Sequence, residues 1–178
     1  NQVKKEFLDL GKQPIANKFL NDNEFDNEFL FDLKVVFDEE TKLVSLKEFV
    51  TPELMFNDNY AYHASMSETM KIHFNKLAEN IQKEFKPINV MEIGSNDGIF
   101  IRHFNPDTTI AVEPCKNFAD IANDMEYKTY NNFWTNDLSK LIRQNCGTMD
   151  LIYSANCICH IHDLDDTFIG VKNLLSDD

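Results

Sequence analysis

Glu92-Ile93-Gly94-Ser95-Asn96-Asp97-Gly98 follows the apolar run 88–91 and opens a helix-like run at 99–104. Strand, glycine loop and helix in that order are the layout of a nucleotide-type site in a doubly wound sheet. Glycine lets the backbone turn sharply and lets a ligand come close to it. The dinucleotide fingerprint G-x-G-x-x-G, begun at Gly94, requires glycine at 96 and 99, where this chain has Asn96 and Ile99. That disfavours a nicotinamide oxidoreductase. A G-x-x-x-G loop with an acidic residue two before its first glycine fits an S-adenosylmethionine (SAM) site better.

Glu113 lies 19 positions after Gly94, at the end of a second apolar run, 109–112. An acidic side chain about 20 residues on, at the tip of the second strand, can accept both hydroxyls of a ribose. Further strand signals fall at 127–130 and 149–155, and helical patterns fill 116–125 and 135–145. Strands alternating with helices predict a parallel sheet and an α/β fold.

The rest of the chain sorts into two parts. Residues 1–64 hold short bursts of Phe and Leu separated by Asn, Asp and Glu, which predicts a small, irregular β-rich module. Asp38-Glu39-Glu40-Thr41-Lys42, between Val36-Phe37 and Leu43-Val44, predicts a hairpin turn. The second part, 65–178, begins with a helix that Ser65 and Glu68 cap as a box. Met70, Phe74, Leu77, Ala78, Ile81 and Phe85 then fall on one helical face, and the helix ends before Pro87. Asp163 predicts the cap of a last helix with Leu164, Phe168, Val171 and Leu174 or Leu175 on its face.

The 178 residues carry a net charge of −13, which argues against nucleic acid and anionic membrane as partners. No apolar run approaches the roughly 18 residues that span a bilayer, and the N-terminus shows no signal core. Cys115, Cys146, Cys157 and Cys159 show no disulfide spacing, and Cys157-x-Cys159 is too tight for a zinc pair. They are read as reduced, buried, inert thiols of a cytoplasmic protein.

Four stretches carry a likeness to a known family. They are Leu10-Gly11-Lys12-Gln13-Pro14-Ile15-Ala16-Asn17; Pro52-Glu53-Leu54-Met55-Phe56 leading to Tyr60-Ala61-Tyr62-His63-Ala64-Ser65; the glycine loop; and Ala155-Asn156-Cys157-Ile158-Cys159-His160-Ile161. In this order and spacing the chain resembles the SAM-dependent C-methyltransferases that act on nucleotide-linked deoxysugars. The resemblance implies a class I methyltransferase Rossmann-like sheet, preceded by a module that binds zinc through cysteines and followed by a C-terminal domain. Asp38 and Thr41 stand where relatives place a C-x-x-C pair, so no zinc is expected. The parallel sheet is expected to break off after its fourth strand and helix. The chain then reads as a fragment, inactive alone, whose open sheet edge invites self-association.

Carbon methylation beside the ketone of a 4-keto sugar nucleotide requires removal of a proton and a donor for the developing oxyanion. Three candidates for this chemistry follow from position and resemblance together. His160, after the fourth strand, is a base or donor. Tyr62 and Tyr60 are phenols that can face an enolate oxygen. His63 and Ser65 are possible neighbours in that pocket, and His73 has an equally good structural reading. The expected cofactor contacts are Glu92, Gly94, Asn96, Asp97 and Gly98 around the methionine part, Glu113 on the ribose and Pro114 beside the adenine. Asn132 and Phe133 are expected at the adenine edge and plane, and Asn156 where the fourth strand opens. Glu92 has a structural alternative, ordering the loop's amides. A catalytically silent SAM- or nucleotide-binding module is the competing reading of the whole chain.

Overall fold

The computed structural model describes residues 4–177, so the ends of the chain at 1–3 and 178 lie outside the described residues. Two compact units divide after Phe56. In the first, β1 (Lys4–Pro14), β2 (Leu30–Asp38) and β3 (Val44–Leu46) form an antiparallel sheet in that order, and a short helix, α1 (Pro52–Met55), follows. The sequence predicts a β-rich module over 1–64, whereas this unit ends at Phe56 and 57–64 belong to the second. Two register shifts interrupt the β1–β2 ladder, between Glu6 and Leu8 and between Asp9 and Lys12. The expected turn at 38–42 is present. The Asp38 carboxylate accepts from the amides of Thr41 at 3.0 Å and Glu40 at 2.9 Å, which hold it below its ordinary value. Lys42 completes the reversal in the left-handed region, φ 63°.

The second unit contains α2 (Glu68–Glu84), β4 (Val90–Ile93), β5 (Thr109–Val112), α3 (Lys116–Asp124), β6 (Lys128–Tyr130), α4 (Asn136–Cys146), β7 (Leu151–Tyr153) and α5 (Leu164–Leu174). All four strands are parallel, in the order β6-β5-β4-β7. The predicted α/β class and strand–helix alternation are what the chain folds into. β4 and β5 are buried along their whole length, as the interior of a two-faced parallel sheet requires. Alternate residues feed two cores. Val90 and Ala111 join Phe74, Ala78, Phe100, Phe104 and Ala122 on one face. Met91, Ile93, Ile110 and Val112 join Trp134, Leu138, Ile142 and Leu174 on the other.

After β5 and β6 are laid down on one side of β4, the chain crosses back to place β7 on its other side. The direction of winding therefore reverses at the carboxyl end of β4, and such a switch point leaves a crevice where ligands bind.

Several expectations are corrected. The cap of α2 is Ser67, which accepts from the Met70 amide at 3.3 Å. Ser65 instead lies in a 3-10 turn, Ala64–Met66, and its amide is committed to Asp97. The run at 99–104 forms one 3-10 turn, Ile101–His103, in place of a helix. Ile99, Phe100 and Ile101 are consecutive buried residues, which a one-faced helix does not allow. Phe85 ends α2 at 66% exposure and Phe168 stands at 54% on α5, so both leave the predicted apolar faces. On α5 the buried positions are Thr167, Gly170 and Leu174. Asp163 caps that helix as expected, accepting from the Asp166 amide at 2.9 Å. Cys159 is exposed, against the expectation of a buried thiol, because it sits on the turn Ile158–His160 beyond β7.

α4 provides a local test of these assignments. Its cap, Thr135, accepts from the Leu138 amide at 3.1 Å. Thr135→Ala is expected to cost about 1 kcal/mol, lowering the melting temperature by roughly 3 °C in a calorimetric scan. An unchanged melting temperature would show that this cap contributes nothing.

Candidate functional site

The loop after β4 is built on two left-handed glycines, Gly94 and Gly98, both at φ 73°. Gly94 and Ser95 both direct their amides to the Val112 carbonyl, at 2.8 and 3.3 Å, and the Gly98 amide closes a turn onto Ser95 at 2.9 Å. Arg102 braces the far side. Its guanidinium donates to the carbonyls of Gly98 at 3.0 Å and Asp97 at 2.9 Å.

Three carboxylates are buried around this loop, Glu92 and Asp97 at 2% exposure and Glu113 at 4%. Burial raises the Glu92 carboxyl well above its ordinary value. The charge of Glu113 adds to this, the Ile101 amide opposes it, and the charge of Asp97 adds a smaller rise. Glu113 is raised by burial too, against the amides of Cys115 and Asn96 that favour its charge. Those amides reach one oxygen each, Cys115 at 2.9 Å and Asn96 at 2.7 Å. The Cys115 thiol also bonds this carboxyl, which leaves Glu113 some acceptor capacity for a further donor. Glu92 Oε2, Ser95 Oγ, Asp97 Oδ1 and Asn117 Oδ1 are buried without a hydrogen-bond partner. Such orphans are rare in a finished interior and point to a missing donor.

The structure brings the segment 60–65 to the same loop. The Asn96 side chain donates to the Tyr62 carbonyl at 2.9 Å and accepts from the Ala64 amide at 2.9 Å. Asp97 Oδ2 accepts from the Ser65 amide at 2.9 Å and lies 3.8 Å from His63 Nδ1. His63 packs edge-on against Phe118, with ring centroids 4.7 Å apart, and Tyr60 does the same at 6.2 Å. The Tyr62 ring is exposed.

Other expected residues sit at neighbouring strand ends. Pro114 follows Glu113, and Asn131 ties both down, donating to the Glu113 carbonyl at 2.9 Å and the Pro114 carbonyl at 2.8 Å. Asn132 is exposed and Phe133 half-buried in the turn after β6. Asn156, exposed at φ 52°, and His160, exposed at the end of its 3-10 turn, follow β7. His73 stacks edge-on against Phe74 at 5.3 Å, which is its structural reading.

Sequence reasoning passed over Asn117, Arg102 and Asn131, and read Cys157 only as an inert thiol within a motif. Asn117 donates to the Tyr60 carbonyl at 3.1 Å, Arg102 braces the loop, and Cys157 lies against Gly94. Burial pushes the Cys157 thiol up to about 11, so it is a neutral packing group at pH 7. No periodicity marks these residues; each is recognisable only from the partner the fold brings to it.

The site's charge decides what it can hold. Three buried carboxylates repel a pyrophosphate and favour a cation that also carries hydroxyl or ammonium donors. The residues present fit SAM on that ground, with Glu92, Asp97 and Glu113 available to hold it.

Residues 62–178 match a family model described as a methyltransferase domain. Residues 1–56 match one described as a putative zinc binding domain. The C-methyltransferase NovU of Streptomyces niveus is 29% identical over 177 residues, covering 96% of this chain and 42% of NovU. The chain thus spans less than half the length of this relative.

The first unit's residues do not fit a zinc ion. Residues 1–56 contain neither cysteine nor histidine. Among the described residues no group of three or more His, Cys, Asp or Glu side chains is placed to hold a metal. A structural zinc site draws on sulfur and nitrogen ligands. At positions 38 and 41 the chain has a hydrogen-bonded turn instead.

Proposed function

Because the chain belongs to the methyltransferase family matched over residues 62–178, we propose that it is the cofactor-binding part of a SAM-dependent C-methyltransferase. The proposed acceptor is a nucleotide-linked 4-keto deoxysugar, methylated at the carbon next to the ketone. The name of the NovU relative supports carbon as the methylated atom. The observation that carries the cofactor reading is the set of three buried carboxylates at the switch point, with unpartnered acceptors on Glu92, Ser95, Asp97 and Asn117.

Bound SAM supplies an electrophilic methyl group on a cationic sulfur. Glu92 and Asp97 balance that charge and receive the ammonium of the methionine part. Glu113 accepts from the ribose, with Pro114, Asn132 and Phe133 beside the adenine and Asn156 at the mouth. Gly94 and Gly98 let the backbone approach closely. On the acceptor, His160 removes the proton beside the ketone, and Tyr62, with Tyr60, donates to the oxygen that becomes negative. These roles are proposed for the whole protein, and every residue named for them lies in this chain.

A second reading, binding without turnover, is favoured by the exposure of Tyr62 and His160. Titration calorimetry on this chain separates the possibilities. SAM and S-adenosylhomocysteine are expected to bind and NADH not to. Binding of NADH alone would sink the SAM reading. Methyl transfer to a 4-keto sugar nucleotide by the whole protein then distinguishes an enzyme from a silent binder.

A further inference from the structure

The side chains of Asn96 and Asp97 sit in the cofactor loop, yet their hydrogen bonds run to another segment. Asn96 grips 62–65 at two points, as donor to the Tyr62 carbonyl and acceptor from the Ala64 amide, each at 2.9 Å. Asp97 adds a third, to the Ser65 amide at 2.9 Å, and faces the His63 imidazole. The same Asn96 gives its own amide to Glu113 at 2.7 Å. A continuous chain of bonds therefore runs from Glu113 through Asn96 to the segment bearing Tyr62 and His63. Asn96 holds this position at φ 49°, a conformation that asparagine tolerates better than most residues. Ser67 begins α2 just beyond, so the segment is fixed at that end as well.

We infer that Asn96 and Asp97 are positioning residues: they fasten segment 62–65 to the glycine loop, so that filling the loop with cofactor sets the geometry of the acceptor side. The coupling rests on the SAM reading above; the fastening does not. A ligand that bonds Glu113 and orders the loop also orders Tyr62 and His63, one hydrogen bond away. Coupling between binding events is reciprocal, so an acceptor that holds 62–65 in place tightens cofactor binding in turn.

Amide hydrogen exchange on this chain, free and with S-adenosylhomocysteine, tests the proposal. Asn96→Gly keeps the left-handed backbone and removes both side-chain bonds. It is expected to speed exchange at Ala64 about fivefold in the free protein, the loss of one hydrogen bond. S-adenosylhomocysteine is expected to slow exchange across 62–65 in the wild type and not in this variant. Asn96→Asp retains an acceptor and is expected to keep the Ala64 amide protected. Asp97→Ala makes the fastening test at Ser65 in the free protein and serves if Asn96→Gly does not fold. Equal exchange at Ala64 in wild type and Asn96→Gly overturns the fastening. Persistent ligand protection of 62–65 in Asn96→Gly overturns the coupling. Failure of the wild type to bind S-adenosylhomocysteine overturns the proposed function and the coupling, while the free-protein comparison still decides the fastening.

Discussion

Glu92→Gln is expected to make the free protein more stable at neutral pH while weakening its affinity for SAM about 100-fold. Both effects have one cause. Glu92 is at 2% exposure, on the sheet face it shares with Val90 and Phe100, and its Oε2 has no partner. Its carboxyl is raised well above the ordinary value by burial and by the neighbouring charges of Glu113 and Asp97. The folded state therefore holds that proton more tightly than the unfolded chain, whose glutamate titrates near 4.3. Stability falls as pH rises from about that value through the raised folded value, because the folded protein must give up a proton it favours. Glutamine is neutral throughout, so the variant's melting temperature should decline less with rising pH. A bound cation reverses the balance by rewarding the charged carboxylate. Losing one member of a buried charge pair costs about 2–5 kcal/mol, and about 100-fold lies within that range. Calorimetric titration with SAM and thermal melts from pH 4 to pH 8 check both halves. A variant that binds SAM as well as the wild type would remove Glu92 from the site.

Gly94→Ala is expected to destabilise the protein by about 3 kcal/mol, a fall of roughly 6–12 °C in melting temperature. Two penalties act together. The residue stands at φ 73°, and an added Cβ would meet Cys157 Cβ at 2.8 Å and Sγ at 2.7 Å. The β-carbon of Cys157 is not the loose end of a flexible side chain, so the strand-end loop must move as a whole. Gly11 provides the contrast. It has φ 68° but nothing within 4 Å, so Gly11→Ala suffers conformational strain alone, about 1 kcal/mol. Thermal melts of the two variants check the comparison. Equal losses would show that Cys157 does not constrain the loop.

The parallel sheet was legible because its signals are local and repeated. Buried runs at 90–93 and 109–112, with amphipathic helices between strands, admit few other arrangements. The loop was legible for the same reason, since two glycines and Glu113 lie at fixed offsets. What the sequence hid is where polar groups find their partners. Ser65 and Glu68 form a capping-box pattern, yet Asp97, 32 residues away, claims the Ser65 amide and Ser67 caps the helix. The run 99–104 has helical composition, yet three consecutive side chains are drawn into the core and the Arg102 guanidinium is drawn back to the loop carbonyls. Phe85 and Phe168 fit an apolar periodicity but stand exposed to solvent. Glu113 was expected on a ribose, and the structure shows it already holding two amides, a role that no spacing rule reveals.

The order of strands bears on how this protein is made. Val90 pairs with Thr109 on one side, 19 positions on, and with Leu151 on the other, 61 positions on. During synthesis β4 can pair with β5, and β5 with β6, while β7 is still inside the ribosome. Through that interval one edge of β4 is bare, and the loop lacks the wall that Cys157 provides. Closing the longer loop is the slower entropic step. The pocket that gathers three carboxylates is thus completed late, when the hydrophobic half-sheet beside it has already formed to hold them.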